Sequence, residues 1–405
     1  MIQLFKMAYR NLNRNRRRSI LSALAVSFGL ALLLFMAAMV QGEMQGAMQT
    51  TIALQSGNLQ VRAASYVEEK SSLKWEDLVA NPDQVAAQIK GVPHVTIATP
   101  RLFASGIINT SNQAIGVQLM GIDPASPAND PILKGLTEGK FITADDQNGI
   151  LVGQTLAQNL GVKVGDQIDL SANTASGTVN EQNFIVRGIF STNTPAYDQS
   201  TVMMPLAKAQ TFTGTQNHAS TIFIMLDDRE LSASVASALK STSYQILTWQ
   251  KMNDLILETE QFANSYMVLF YLIVLAITST VVVNTLIMAV YERTREIGIM
   301  AAIGMKGRRI MGLFLAEASL LAIAGIVAGL ILGWLICAYF AHYGFYIGSI
   351  GTNYQFLLGN RIYAMLTLGD TINLTIIALV ITLAAALYPA ILAARLEPVE
   401  ALHGK

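Results

Sequence analysis

The chain is short of charge. Only 13% of its 405 residues are charged and 52% are hydrophobic, with a mean hydropathy of +0.42. A typical soluble protein has about 25% charged residues. The composition therefore excludes an ordinary soluble enzyme, a disordered chain and a secreted disulfide scaffold.

Residue types that hold metals or carry out catalysis are also scarce. Cys337 is the single cysteine, which excludes an internal disulfide and a cysteine-built zinc or iron–sulfur site. The sequence has no G-x-x-x-x-G-K-[ST] loop, which binds ATP phosphates, and no G-x-S-x-G or H-E-x-x-H motif. We therefore expect no catalytic residue, no metal and no cofactor in this chain, and no nucleic-acid partner.

Long stretches without charge predict membrane-spanning helices. Such a helix needs about 20 apolar residues. We predict spans at the charge-free stretches, namely residues 19–42, 261–290, 318–340 and 371–394. Residues 341–370, which include several glycines, are predicted as a short periplasmic loop. A cleaved signal peptide is the alternative for the first stretch, although its apolar run is longer than that of a signal peptide.

The basic residues indicate the orientation. Residues 1–18 hold six Lys/Arg and no acid, and residues 291–317 hold five Lys/Arg. Because basic loops stay in the cytoplasm, both termini, the 291–317 loop and the 395–405 tail are predicted there. Apolar residues share one face of 1–18, which predicts an interfacial helix; a solvated basic tail is the alternative.

Residues 43–260 are then predicted to lie outside the cytoplasm, with a net charge of −8 from 13 Lys/Arg and 21 Asp/Glu. Strands and helices alternate as β-α-β near both ends of this segment, which is a split βαβ pattern. The intervening region, about 104–219, predicts an inserted β-rich lobe. The expected fold class is membrane α+β, with four transmembrane helices and a large α/β extracytoplasmic domain between helices 1 and 2.

Residues 251–290 contain no Pro or Gly, which predicts one helix through and beyond the second span. Forty helical residues would extend roughly 60 Å, about twice the hydrocarbon thickness. We therefore predict a stalk that begins at about residue 251. A helix that ends at the membrane, followed by a flexible linker, is the alternative.

The 291–317 loop contains the sequence TREIGIMAAIGMKGRR. Residues 296–303 predict a short helix that ends at Gly304. Gly298 inside it is less favourable than alanine by about 1 kcal/mol, which indicates close approach by another surface. The helix could dock a partner protein, or it could lie on lipid.

The third span contains small residues at four-residue spacing, Gly325, Gly329 and Gly333. Such a ladder lets two helices approach closely. It is compatible with a dimer contact and with packing inside the chain.

Four stretches resemble the FtsX-like permease family of ABC transporters, in the MacB and lipoprotein-releasing (LolC/LolE) arrangement. They are AYRNLNRNRRRSIL, VYERTREIGIMAAIGMKGRRI, EASLLAIAGIVAGLILG and YPAILAARLEPVEAL, of which the second is the most specific. The exterior segment GILVGQTLAQNLGVKVGDQIDL is similar to the periplasmic domains of these permeases. The resemblance extends over most of the chain.

The resemblance implies a permease of the bacterial inner membrane that works by mechanotransmission. It implies two copies of a separate ABC ATPase, a second permease copy or paralogue, a periplasmic cargo or acceptor protein, and membrane lipid as partners. ATP hydrolysis is expected on the ATPase subunit, since this chain begins 18 residues before its first span. The expected ATPase-coupling residues are Arg293, Glu296, Ile297, Gly298, Ile299 and Gly304.

Lipoprotein export or release is the leading expectation for the cargo. MacB-like efflux of a drug, peptide or toxin and FtsX-like regulation of an envelope hydrolase are the alternatives. A membrane-anchored envelope enzyme is disfavoured, because no catalytic constellation is present in the sequence.

Overall fold

The fold consists of two compact units. The computed structural model describes residues 2–67, 72–110, 114–239, 244–348, 357 and 359–396. The membrane unit comprises 2–43, 260–345 and 362–396, and the α/β unit comprises the described residues of 44–259 and 346–361. Most of the predicted 395–405 tail and part of the predicted 341–370 loop lie outside the described residues.

The α-helices are as follows: α1 Ile2–Arg14, α2 Arg16–Thr51, α3 Pro82–Lys90, α4 Asp130–Lys134, α5 Gln154–Leu160, α6 Pro195–Asp198, α7 Leu206–Thr213, α8 Ser232–Ala238, α9 Trp249–Met252, α10 Asp254–Glu292, α11 Thr294–Ala302, α12 Gly307–Tyr343 and α13 Leu368–Ala394.

The strands are as follows: β1 Leu59–Ala63, β2 Val79–Ala80, β3 Val95–Asn109, β4 Ala114–Ile122, β5 Leu136–Gly139, β6 Gly149–Gly153, β7 Gln167–Asn173, β8 Val179–Phe190, β9 Thr201–Pro205, β10 His218–Ala219, β11 Thr221–Leu226, β12 Tyr244–Thr248, β13 Phe345–Tyr346 and β14 Arg361–Ile362.

Four helical segments are long and apolar enough to cross a membrane. They are Arg16–Ser56, Asp254–Glu292, Gly307–Tyr343 and Leu368–Ala394. The first combines α2 with one π-helical turn, Ile52–Ser56. These segments confirm the predicted set of four transmembrane helices with an α/β domain between the first and the second.

Helix α12 differs in extent from the span predicted at 318–340. It begins at Gly307, so it includes Arg308, Arg309 and Glu317. The predicted span excludes every charged residue. A helix can nevertheless contain a charged residue when its side chain pairs with another group inside the protein. The segment between α10 and α12 is correspondingly shorter than the predicted 291–317 loop.

The membrane unit is held together by close helix contacts. Helix α1 packs on α12, where Ala8 lies against Leu313 and Ala316. Helix α2 packs on α10, where the hydroxyls of Ser22 and Thr285 are 2.6 Å apart. A buried apolar cluster joins α2, α10, α12 and α13.

One end of the α/β unit has the predicted split βαβ arrangement. The strand order β12-β1-β11-β3 is antiparallel throughout. Apolar residues of α3 and α8, such as Ile89 and Val235, pack in one core with Val61 and Ile222 of the sheet. The predicted β-α-β pairs thus lie side by side in one sheet.

The inserted lobe is a closed ring of six strands. The pairings run β3-β4-β9-β6-β8-β7 and return from β7 to β3. Side chains inside the ring, including Leu102, Ile150 and Phe184, form a continuous apolar core.

Strand β3 belongs to both lobes, because it crosses the predicted lobe boundary at about residue 104 without a break. It pairs with β11 through Val95–Arg101 and with β7 through Gly106–Asn109. Residues 99–104 are buried and residues 105–109 alternate between exposed and buried. The change of pattern marks the passage from a strand covered on both faces to a barrel strand, not a break in the strand.

Candidate functional site

The candidate coupling segment is α11, a short helix between two membrane-spanning helices. Helix α10 ends at Glu292 and α11 begins at Thr294, after one residue, Arg293, that leaves helical geometry with φ −112°. At the other end Gly304 has φ +96°. Because a side chain is strained in that region, glycine is suited to end the helix there. The helix expected at 296–303 is therefore present as Thr294–Ala302.

Arg293 is enclosed by its own chain. Its side chain is 6% exposed and its Nη1 donates to Glu317 Oε1 at 3.0 Å. Its Nη2 donates to the carbonyl oxygen of Asn11 at 3.1 Å. The Asn11 side-chain amide donates to the same Glu317 oxygen at 2.7 Å.

This buried group joins three helices. Asn11 belongs to α1, Arg293 links α10 to α11, and Glu317 belongs to α12. Breaking a buried ion pair by removing one partner leaves an uncompensated charge, so the geometry around it is strongly held. Arg293 therefore connects α11 to α1 and α12 of the membrane unit through these contacts.

The rest of α11 has one inner and one outer face. Ile297 is 1% exposed and packs with Val290, Phe314 and Ala390. Gly298 is buried beside it. The inner face thus attaches the helix to α10, α12 and α13.

The outer face carries Glu296, Ile299 and Ile303, with Ile299 44% and Ile303 82% exposed. Glu296 pairs with Arg14 at 2.8 Å, and both side chains are more than half exposed. An isoleucine that is 82% exposed outside a spanning segment has no internal packing role. The outer face is the part of α11 that is available for a partner.

The predicted coupling residues therefore separate into two groups. Glu296 and Ile299 are exposed on the outer face, and Gly304 ends the helix. Arg293, Ile297 and Gly298 are buried within the chain. Gly298, where the sequence indicated close approach by another surface, is thus buried within the chain.

The glycine ladder of α12 faces α2 of the same chain. A Cβ built on Gly325 would lie 2.7 Å from Cβ of Val26, and one on Gly329 would lie 2.8 Å from the carbonyl oxygen of Ser27. At Gly333 the nearest atom would be a Leu34 methyl at 2.9 Å. These glycines permit α2 and α12 to touch, so the ladder is occupied inside the chain.

A second polar cluster lies within the α/β unit, beside the π-helical turn Ile52–Ser56. Arg101 is 3% exposed, stacks on the Phe223 ring at 3.7 Å and donates to the carbonyl oxygen of Leu54 at 2.7 Å. Burial lowers the pKa of Arg101 to about 10, so the side chain remains a cation at neutral pH. It therefore places a positive charge beside the π-helical turn, where helix carbonyls carry partial negative charge.

The end of the α2 segment and the start of α10 also contact one another within the α/β unit. Asn253, just before α10, donates from Nδ2 to Ser56 Oγ at 3.2 Å. Met48 and Ile52 pack with Trp249 and Ile256 in one buried cluster. Within the α/β unit, the start of α10 and the end of the α2 segment are thus held together.

Sequence reasoning missed Asn11, Arg101 and Glu317. The predicted third span begins just after Glu317, although this residue lies inside α12 and is 2% exposed. The available signal was the absence of proline between residues 308 and 318, which allows one helix to include the acid. No motif of three or more His, Cys, Asp or Glu placed to hold a metal occurs in the described part of the chain.

Comparison with known families agrees with this architecture. Residues 19–242, more than half of the chain, match the family model for the MacB-like periplasmic core domain. Residues 268–398 match the FtsX-like permease C-terminal model. The chain belongs to the MacB-like periplasmic core domain family.

Relatives with names are similar over most of this chain. The LolC transmembrane protein of the lipoprotein-releasing system of Neisseria meningitidis is 23% identical, over 76% of this chain and 78% of that protein. The LolE protein of the same kind of system in Haemophilus influenzae is 24% identical, over 94% and 93% respectively. The macrolide export ATP-binding/permease protein MacB of Shewanella is 24% identical, over 98% of this chain but 60% of that protein.

The resemblance inferred from the sequence motifs is therefore confirmed at the level of the family. The chain is an ABC transporter permease of the MacB, LolC, LolE and FtsX type, and a multi-pass membrane protein.

Proposed function

We propose that this permease is the transmembrane subunit of an inner-membrane ABC transporter that releases or exports lipoproteins. Two copies of a separate ABC ATPase would hydrolyse ATP, and the permease would act with a second copy or a paralogue. The observation that carries the proposal is α11: a short helix anchored by buried Arg293, with an apolar outer face exposed around Ile303.

The coupling step follows from the two faces of α11. An ATPase that contacts Ile299 and Ile303 would move α11 as a rigid body, because the inner residues Ile297 and Gly298 are packed in the membrane unit. Arg293 would transfer that motion to α1 and α12 through Asn11 and Glu317. Gly304 would keep the helix end fixed in its turn.

Motion would then reach the other unit along α10. This helix is continuous from Asp254 to Glu292, 39 residues or roughly 58 Å at 1.5 Å per residue. Its first turns lie in the α/β unit, next to the Asn253–Ser56 hydrogen bond. In this mechanism the cargo is moved by the α/β unit outside the cytoplasm and does not pass between the membrane helices.

Lipoprotein cargo is supported by coverage of the relatives. The chain spans 93% of the LolE relative and 78% of the LolC relative, but 60% of the MacB relative. The second candidate is drug or peptide efflux, which the match of 98% of this chain to the macrolide export protein favours.

The glycine ladder is filled by α2, so a permease pair would use another surface.

Depletion of the protein in its native bacterium distinguishes these cargoes. We expect lipoproteins bound for the cell exterior to accumulate in the inner membrane, with unchanged susceptibility to macrolides. Complementation with Ile303→Asp should fail, and complementation with Leu133→Asp, at an exposed apolar site of the α/β unit, should succeed. Increased macrolide susceptibility without lipoprotein accumulation would establish the efflux function instead, and a cell-separation defect alone would indicate hydrolase regulation.

A further inference from the structure

The elbow between α1 and α2 contains an apolar groove. Helix α1 ends at Arg14 and α2 begins at Arg16, with the Ser19 hydroxyl donating to the carbonyl oxygen of Leu12 at 3.1 Å. The groove has a volume of about 500 Å³. Its walls come from α1, α2 and α12, and they include Tyr9, Leu12, Ile20, Ala23, Ile323 and Ala324.

A basic cavity of about 480 Å³ adjoins this groove and shares Asn13 and Arg16 with it. Its other lining residues are Arg14, Asn15, Arg17, Arg18 and Glu292. One continuous surface therefore passes from apolar side chains of the membrane helices to a cluster of four arginines. Both cavities lie entirely within the membrane unit.

The four arginines are not equivalent. Arg18 forms two hydrogen bonds with Glu292, at 2.7 and 2.9 Å, and Arg14 pairs with Glu296. Arg16 and Arg17 are exposed and form no ion pair with any described residue. Two positive charges at the mouth of the groove thus remain without an internal counter-charge.

We propose that this elbow is a binding site for one anionic phospholipid, whose phosphate contacts Arg16 and Arg17 and whose acyl chain lies in the groove. Basic pockets at the cytoplasmic boundary of membrane helices suit anionic head groups, and the hydrocarbon part is favoured by apolar walls. Both cavities are within the usual volume range of ligand sites.

The arrangement favours this ligand over the other candidates. A free phosphate ion would use the arginines but gain nothing from the apolar walls. A zwitterionic lipid would fill the groove but leave the net charge of Arg16 and Arg17 unbalanced. Ala23 and Ala324 belong to the apolar spanning segments of α2 and α12. An acidic protein would not place an apolar group of the size of an acyl chain beside them.

The test is lipid binding to the purified full chain by native mass spectrometry, with phosphatidylglycerol and phosphatidylcholine of identical acyl chains. We expect one phosphatidylglycerol to be retained, and the double variant Arg16→Gln/Arg17→Gln to bind it about tenfold or more weakly. The matched control is Lys6→Gln/Arg10→Gln. It removes two exposed charges from the same segment, at positions that line neither cavity, and should retain the lipid.

A second pair of variants tests the groove. Ala324→Trp should fill it and reduce retention of phosphatidylglycerol. Ala328→Trp, at an exposed position one turn further along α12 that does not line the groove, should not. Measuring the melting temperature of each variant identifies any that fail to fold.

Three results would overturn the proposal. Equal loss of lipid in both charge variants would mean attraction by a diffuse basic surface. Competition by millimolar inorganic phosphate, with no effect of Ala324→Trp, would mean an anion site. Loss of ATPase association in Arg16→Gln/Arg17→Gln with unchanged lipid retention would mean that the arginines bind the protein partner.

Discussion

Glu317 is almost fully enclosed, yet it belongs to an apolar helix, and its carboxylate receives hydrogen bonds from both Arg293 and Asn11. An acid in this setting is tolerated only because its charge is matched. Within the same region Glu296 forms an ion pair of similar length with Arg14, but at the surface. The two pairs offer a direct comparison of burial.

We expect Glu317→Gln to destabilise the protein by about 3–5 kcal/mol, because it leaves Arg293 as an uncompensated buried charge. Glu296→Gln should change stability by less than about 1 kcal/mol, since exposed ion pairs contribute little. The measurement is the apparent melting temperature of each variant in the same detergent. Equal melting temperatures would show that the buried pair does not hold α1, α11 and α12 together.

The sequence predicted the short helix but not which of its residues are buried and which are exposed. The pattern of apolar residues and Gly304 predicted a short helix, and it is present. It could not distinguish Ile297 from Ile299, because the side of a short helix that meets the protein depends on neighbours distant in sequence. Gly298→Trp would therefore disturb internal packing, and a test of docking needs an outer residue.

Among the helices and strands, α11 is the one whose exposed outer face we propose as the contact surface for the ATPase. We expect Ile303→Asp to weaken ATPase association by about tenfold or more, because loss of a central apolar contact costs at least about 2 kcal/mol of binding free energy. Stability should be unchanged, because this side chain is 82% exposed. Pull-down of the ATPase with Leu133→Asp as control measures the effect. Normal association would remove the outer face from the interface.

Helix α10 is the second element with a testable role. Asn264→Pro would remove one backbone donor and cost about 3 kcal/mol or more in a helix interior. We expect assembly and ATP hydrolysis to continue but cargo release to stop, since a kink would interrupt the lever. Asn264→Ala, which keeps the backbone donor, should release cargo normally. Wild-type release by the proline variant would mean that the segment is not a lever.

The strand pairing could be predicted from the sequence only in part. The split βαβ order was predicted because each β-α-β unit is local in the chain. Closure of the six-stranded ring depends on β7 pairing with β3, and on β6 pairing with β8 and β9. Strand β6, Gly149–Gly153, is buried on both faces and therefore lacks the alternation that marks a half-buried strand.

At the scale of the whole molecule, hydropathy predicted the four spans because each is long and uniformly apolar. Hydropathy does not predict which spans contact one another. The glycine ladder could have served a second chain, but its Cβ positions are occupied by α2. A permease pair must therefore form through other surfaces, and the partner can be a copy or a paralogue.

We propose above all that this chain is the transmembrane subunit of an ABC transporter and that ATP hydrolysis occurs on a separate subunit. The most direct measurement is purification of the full chain from its native membrane in mild detergent, followed by native mass spectrometry of everything bound. We predict two permease chains with two copies of an ABC ATPase, and loss of the ATPase in the Ile303→Asp variant. Recovery of the intact chain without any ABC ATPase would contradict it.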